Sequence, residues 1–321
     1  MAEGSHISWT DNTFNFWIGC TKVSAGCDNC YAERLMDTRY GKVAWGKGNA
    51  RSLTSAANRR KPYAWDRQAA KEGRRIKVFT ASLSDVFDEE VPDEWRDGLF
   101  ETIRNTPNLD WLVLTKRLAK MLRCASKLYF QARVPHNIWW GCSVEDQATA
   151  NHRIPELLKL REFVGHEAPL WLSVEPLIGA IDLNVIEPNR LETFSALTGE
   201  GEVRDGSDVE PTGGAHVDWV IVGGESGPDA RPMHPSWARL LRDQCVAAGV
   251  AFHFKQHGEW MPVAPSDGRA THIAWPDGRY EPRFGRPLTE ITDGGGVMVA
   301  HVGKKQAGRL LDGMEWNEFP R

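Results

Sequence analysis

Seven short apolar runs, spaced through most of the chain and separated by helix-like segments, most constrain what this sequence can fold into. They are Phe14–Gly19, Lys77–Thr80, Trp111–Thr115, Ile138–Cys142, Leu170–Val174, Trp219–Val222 and Phe252–Lys255. Between them, Glu94–Asn105, Leu118–Ala132, Gln147–Leu160 and Pro235–Ala248 repeat apolar residues at helical spacing. Near-continuous apolar strands alternating with helices specify a parallel sheet covered on both faces. Six or seven such units predict an α/β fold, a partial or full (β/α) barrel of six to seven parallel strands. The expected barrel spans 1–257. Glu187–His216, rich in Gly and acids, is expected as a mobile loop inserted in it. After residue 258 the rhythm stops, and 258–321 is expected to form a C-terminal cap.

The strand ends carry the chemistry. Successive runs end in Ser82-Leu83-Ser84-Asp85, Thr115-Lys116-Arg117, Ser143-Val144-Glu145, Ser173-Val174-Glu175, Gly223-Gly224-Glu225 and Lys255-Gln256-His257. In parallel barrels, active sites are built at the C-terminal strand ends. Wet loops explain Asp85 easily. The repeated Ser-x-Glu and the Gly-Gly-Glu suit a closely approached polar ligand better, because glycine lets main chain come near.

The first run leads into Cys20, Cys27 and Cys30, spaced C-x6-C-x2-C. Three thiolates suffice to hold three irons of a 4Fe–4S cluster and leave the fourth open. In one large enzyme class, that open iron binds S-adenosylmethionine and the cluster electron yields a 5′-deoxyadenosyl radical. A zinc site would need further ligands, and only His253 and His257 offer a pair. A non-catalytic zinc protein that binds nucleic acid, and a barrel enzyme using the strand-end acids with structural cysteines, both stay open. Cys124 and Cys245 lie in helical patterns and are expected to be apolar filling. Disulfides are not expected, since six scattered cysteines without an export signal suggest a reducing compartment.

Composition narrows the partners. With 26% charged residues and a net charge of −4, the chain as a whole gives no argument for nucleic acid. No apolar run approaches a membrane span. Locally, Arg51–Lys77 holds nine basic residues, among them Arg59, Arg60 and Lys61, against Asp66 and Glu72. With Tyr63 and Trp65 interleaved, this segment has what phosphate contact and base stacking require. Fourteen tryptophans suggest that some line a pocket or stacking surface. Neither a phosphate-loop nor a dinucleotide glycine motif is present.

Several motifs together resemble a known family. They are Trp9-Thr10-Asp11, the cysteine segment through Tyr31-Ala32-Glu33-Arg34, Leu114–Arg117, Gly141–Gln147, Ser173–Leu177, Val222–Gly227, Arg231–His234, Phe254–Gln256 and Gly308–Gly313. Together they resemble the phage three-cysteine protein family, which is similar to radical S-adenosylmethionine enzymes. The resemblance runs from about residue 7 to the C-terminus, excepting Glu187–His216. It implies a 4Fe–4S cluster on Cys20, Cys27 and Cys30, and S-adenosylmethionine on that cluster. Candidate cofactor contacts are Ser82, Ser143, Glu145, Ser173, Glu175, Gly223, Gly224 and Glu225. Candidate substrate contacts are Lys116, Arg117, Lys255, Gln256, Arg59, Arg60 and Lys61. The family's phage association implies a nucleotide or DNA substrate, a nucleobase or hypermodified thymidine in phage DNA, and isomerase or lyase chemistry. It also implies a cytoplasmic setting, in the bacterial host if phage-encoded, and an electron donor such as flavodoxin. The first cysteine gap, the aromatic after the last cysteine, and Gly-Gly-Glu after the sixth strand instead of the second all depart from the wider radical-enzyme pattern.

Overall fold

The computed structural model describes residues 4–203 and 213–320. Seven strands form one sheet: β1 (Asn12–Phe14), β2 (Ile76–Thr80), β3 (Leu109–Thr115), β4 (Ile138–Ser143), β5 (Leu170–Val174), β6 (Trp219–Gly223) and β7 (Ala251–Gln256). Their spatial order equals their chain order. The pairings β1–β2, β2–β3, β3–β4 and β6–β7 are parallel. β1 and β7 end the order and do not pair with each other among the described residues. The sheet is therefore open, the partial form of the expected barrel. The main helices are α1 (Lys61–Glu72), α2 (Asp93–Arg104), α3 (Leu118–Phe130), α4 (Gln147–Leu158) and α5 (Pro235–Ala248). Apart from α1, they fall where helical spacing placed them.

The strands are apolar because both faces are covered. Every residue of β5 and β6 is buried, and six tryptophans are almost wholly inside: Trp9, Trp17, Trp111, Trp140, Trp171 and Trp219. No tryptophan is exposed. These six rings are core, where large apolar area contributes most, while Trp95, Trp139 and Trp316 are half-buried.

By backbone contacts the chain divides into two compact units, Met1–Ser143 with Pro155–Trp171, and Val144–Ile154 with Leu172–Arg321. In the first, Trp9-Thr10-Asp11 pins β1 to β2. Thr10 Oγ1 donates to Lys77 O and accepts from Phe79 N, and Asp11 Oδ2 accepts from Lys77 N. The first apolar run is only partly a sheet strand. After Phe14 the chain leaves, and Trp17–Ile18 pairs antiparallel with Ser52–Leu53.

In the second unit, a four-stranded antiparallel sheet follows β7: β8 (Trp260–Pro262), β9 (His272–Ala274), β10 (Tyr280–Pro282) and β11 (Val297–His301), ordered β8-β11-β9-β10. The tail then returns along β7. Phe254 N donates to Trp316 O, Glu318 N donates to Phe252 O, and His253 bridges Asn317. A covered edge cannot pair with another chain. Glu187–His216, expected as a mobile loop, contains regular structure where it is described. Glu192–Phe194 and Gly201–Val203 form an antiparallel hairpin, and residues 204–212 lie outside the described residues.

Candidate functional site

In the first unit the cysteine loop is built by local rules. Asn15 receives the chain as it leaves β1: its Oδ1 accepts from Leu83 N at 2.7 Å and its Nδ2 donates to Ser82 Oγ at 2.8 Å. Ser82 O also accepts from the Tyr31 hydroxyl. Ser82 thus braces the loop. Gly19 sits at φ +110°, and a Cβ there would meet the Arg51 side chain at 3.0 Å. Only glycine turns the chain into Cys20 at that point. Cys27 closes a 3-10 turn and Cys30 precedes the helix Tyr31–Glu33, which continues as a π-helical turn over Arg34–Arg39. Cys20 and Cys30 pack on one apolar cluster of Ala32, Met36, Val43 and Trp45.

Beneath this loop lies a buried charge network. Arg117, at the end of β3, donates through Nη1 to Asp85 Oδ2 at 2.8 Å and to Cys20 Sγ at 3.5 Å, and through Nη2 to Thr21 O at 2.6 Å. Arg51, fully buried, donates to Asp88 Oδ2 at 2.7 Å and to Thr21 Oγ1 at 2.6 Å. Burial, then the Asp85 charge, pushes the Cys20 thiol up to about 12, with Arg117 pulling the other way. Burial also pushes the Cys30 thiol up. For Arg117 burial acts downward, but Asp85, Cys20 and Asp88 outweigh it and hold the guanidinium firmly protonated. Sequence reasoning assigned Arg117 to substrate. The structure places it on Cys20 and Asp85. It dismissed Asp85 as a loop acid and counted Arg51 in a surface patch. No local pattern signals the network, since Arg117 lies 32 residues from Asp85 and 97 from Cys20.

All three loop cysteines are free thiols. Among the described residues, no three His, Cys, Asp or Glu side chains stand close enough to hold a metal ion as they are. By donor chemistry alone the loop offers what an iron–sulfur cluster takes: three unbridged thiols on one loop, two on a shared apolar floor, one touching a guanidinium. His253 and His257 do not form a metal group either. His253 is buried beside the rings of Trp219 and Phe319, and His257 Nε2 donates to Leu310 O at 2.9 Å. Cys245 is buried, and burial holds its thiol well above the usual range. Cys124 is half-buried.

In the second unit each predicted carboxylate is answered by a cation of the chain. Glu145, fully buried, takes two contacts from Arg153 of α4 at 2.9 and 3.1 Å. Glu225 takes Arg231 through Nε at 2.9 Å, Nη2 at 2.6 Å and its backbone N at 2.8 Å. Glu175 takes Lys255 Nζ on both oxygens at 2.8 Å and Gln256 Nε2 at 3.4 Å, and Gln256 also donates to Ser226 Oγ at 2.7 Å. Sequence reasoning separated Glu175 as a cofactor contact from Lys255 and Gln256 as substrate contacts. The structure joins them in one cluster across β5 and β7.

Ser143 and Ser173 are buried, and Ser173 O accepts from Val144 N. Gly223 lies against Glu175, whose Oε1 would be 3.2 Å from a Cβ there. The close approach at Gly224 is to the chain itself, since a Cβ would sit 2.1 Å from His257 O. Lys116 N donates to Asp85 Oδ2 at 3.4 Å.

The basic segment is corrected in part. Arg51 is buried, Arg75 donates to Asp110 at 2.6 Å, and Trp65 is core, edge-on to Phe14. Arg59 lies over the Phe16 ring at 5.5 Å and donates to Thr54 O. Arg60, Arg67 and Lys71 are exposed, and Lys61 and Tyr63 half-buried. Tyr63 alone remains for stacking.

A family model matches residues 4–320. The chain belongs to the family described as a protein of unknown function, DUF5131. No curated protein matches this DUF5131 chain. Solved structures of spore photoproduct lyase do. One, a cysteine-to-serine mutant, has 13% identity and a TM-score of 0.46, covering 98% of this chain and 74% of that one. A complex with dinucleoside spore photoproduct has 11% identity and a TM-score of 0.44, covering 94% and 71%. A double mutant with bound AdoMet and dinucleoside spore photoproduct has 15% identity and a TM-score of 0.36. It covers 54% of this chain and 47% of that one, about half the lyase's length. Likenesses this distant assign no activity to the DUF5131 chain. Among its described residues no helix is long and apolar enough to cross a membrane.

Proposed function

We propose that this DUF5131 protein is a radical S-adenosylmethionine enzyme. The observation that carries the reading is the loop after β1, which sets Cys20, Cys27 and Cys30 as free thiols, two of them on one apolar floor, with Arg117 at Cys20. These three residues would hold a 4Fe–4S cluster through thiolate ligands. The chemistry such a group supplies when bound is one-electron cleavage of S-adenosylmethionine to a radical that abstracts hydrogen from substrate. The chain's own part is to deliver thiolates and orient the loop. Burial pushes the Cys20 and Cys30 thiols up, so ligation as thiolates would release protons. The apolar floor and the Ser82–Tyr31–Asn15 bonds fix the loop against the end of β2.

For substrate, the reading favours a nucleobase or hypermodified thymidine in phage DNA, processed by rearrangement or cleavage. It is supported by the resemblance to the phage three-cysteine family and by the exposed cations Arg60, Arg67 and Lys71 around α1. An electron donor such as flavodoxin and a cytoplasmic location in the bacterial host belong to the same reading. Reconstitution with iron and sulfide under anaerobic conditions tests it. The expected result is about four irons per chain with a broad absorption near roughly 400 nm, the thiolate-to-iron band of Cys-held clusters. Reduced protein should release 5′-deoxyadenosine from S-adenosylmethionine. Replacing Cys20, Cys27 and Cys30 by Ala should abolish both, and a triple variant that keeps its iron overturns the assignment. Charge reversal of the exposed Arg60, Arg67 and Lys71 should weaken DNA binding and flatten its salt dependence. DNA affinity that is absent in the parent, or untouched by that reversal, removes the DNA substrate and leaves the radical reading standing.

A further inference from the structure

The three loop cysteines are not equivalent. Cys27 Sγ lies 3.9 Å from the Ser24 hydroxyl, and Cys30 packs on the Ala32, Met36, Val43 and Trp45 cluster. Cys20, on the same cluster, also has a guanidinium N–H at 3.5 Å. That guanidinium is held by more than the sulfur. Arg117 Nη1 is shared with Asp85 Oδ2, and Nη2 reaches Thr21 O. Asp85 in turn is fixed through Oδ1, which accepts from Thr115 Oγ1 at 2.7 Å and from Phe87 N at 2.8 Å. Arg51, anchored on Asp88, grips the Thr21 hydroxyl. Two arginines on two buried aspartates thus clamp the residue after Cys20 at its carbonyl and at its side chain. A buried, hydrogen-bonded array of this kind is costly to assemble unless every member is satisfied.

We propose that Arg117, oriented by Asp85, is a positioning residue for Cys20: it presents a charge-assisted N–H donor to this sulfur as a metal-bound thiolate. The inference rests on the cluster reading above and deepens it. Donors to ligand sulfurs set both metal affinity and reduction potential. Lysine would keep the charge but lose the fork that spans sulfur, Asp85 and Thr21 O.

The experiment uses the full chain, reconstituted anaerobically, as parent, Arg117→Lys and Arg117→Met. Chelator competition measures iron affinity, and a redox titration followed by electron paramagnetic resonance measures the fraction reduced at fixed potentials. Arg117→Met is expected to bind iron about 10–100-fold more weakly and to be less reduced than the parent at every potential, with Arg117→Lys intermediate. In parent protein carrying 15N-labelled arginine, the reduced cluster should show a nitrogen hyperfine coupling that Arg117→Lys lacks. This readout needs only the parent and the mild variant to fold. An unlabelled-like spectrum in the parent, or iron affinity and midpoint unchanged in Arg117→Met, overturns the proposal while leaving the cluster intact. A parent that assembles no cluster overturns the functional reading itself.

Discussion

Two regions at the ends of parallel strands look alike in sequence and differ in what they leave available. Beside the cysteine loop, Arg117 and Arg51 neutralise Asp85 and Asp88, and one guanidinium N–H is left over for the sulfur of Cys20. Beyond β4, β5 and β6, the acids Glu145, Glu175 and Glu225 are each satisfied by Arg153, Lys255 and Arg231. The first arrangement holds unbridged, ligand-capable atoms against a cation. In the second, each acid faces a cation of the chain. A carboxylate at a strand end is thus not a ligand group by position alone. Its partner decides.

The largest expected effect tests that contrast directly. Glu145→Gln removes the buried carboxylate charge that Arg153 grips, and breaking such a pair costs about 3–5 kcal/mol. Urea unfolding should show that loss while iron binding by the cysteine loop persists. Unchanged stability with weakened S-adenosylmethionine binding would move Glu145 to the cofactor and dissolve the contrast.

Next comes acid sensitivity in the second unit. Burial, helped by the Arg309 and Lys255 charges, pulls His253 down to about 4 from an ordinary 6.5. Because the neutral ring is favoured in the fold, its contribution is whole above pH 6.5. It is lost progressively as pH falls toward 4, by up to roughly 3 kcal/mol at 1.36 kcal/mol per unit. His253→Phe should flatten the stability profile in that window. A profile that keeps its slope would assign the acid loss to other groups.

Smaller still is Gly224→Ala. The added methyl meets His257 O, and overpacking of this kind costs about 1–3 kcal/mol. Thermal unfolding should register it without any ligand present. A variant of parental stability that fails only in S-adenosylmethionine binding would return Gly-Gly-Glu to the cofactor and sharpen the comparison the other way.

The legible part of this protein was the part with a period. Apolar runs of the right length fixed seven strands, and helical spacing placed Pro235–Ala248 at its observed bounds. The exceptions have physical reasons. Phe14–Gly19 reads as one strand because apolar content does not reveal that Asn15 turns the chain out of the sheet. Lys61–Glu72 is a helix whose polar face hid its apolar stripe of Trp65 and Ala69. The hairpin at Glu192–Val203 is too short and too polar to announce itself.

By itself, then, the sequence determined the parallel α/β sheet and a loop with three closely spaced thiols, since both follow from local patterns. What only the tertiary structure decided is the pairing of charges. Arg51 and Asp88, Arg117 and Asp85, and Lys255 and Glu175 stand 37, 32 and 80 residues apart. No period in the chain links them. Whether an acid at a strand end serves a ligand or the fold depends on which cation the packing brings beside it, because a buried charge must be answered.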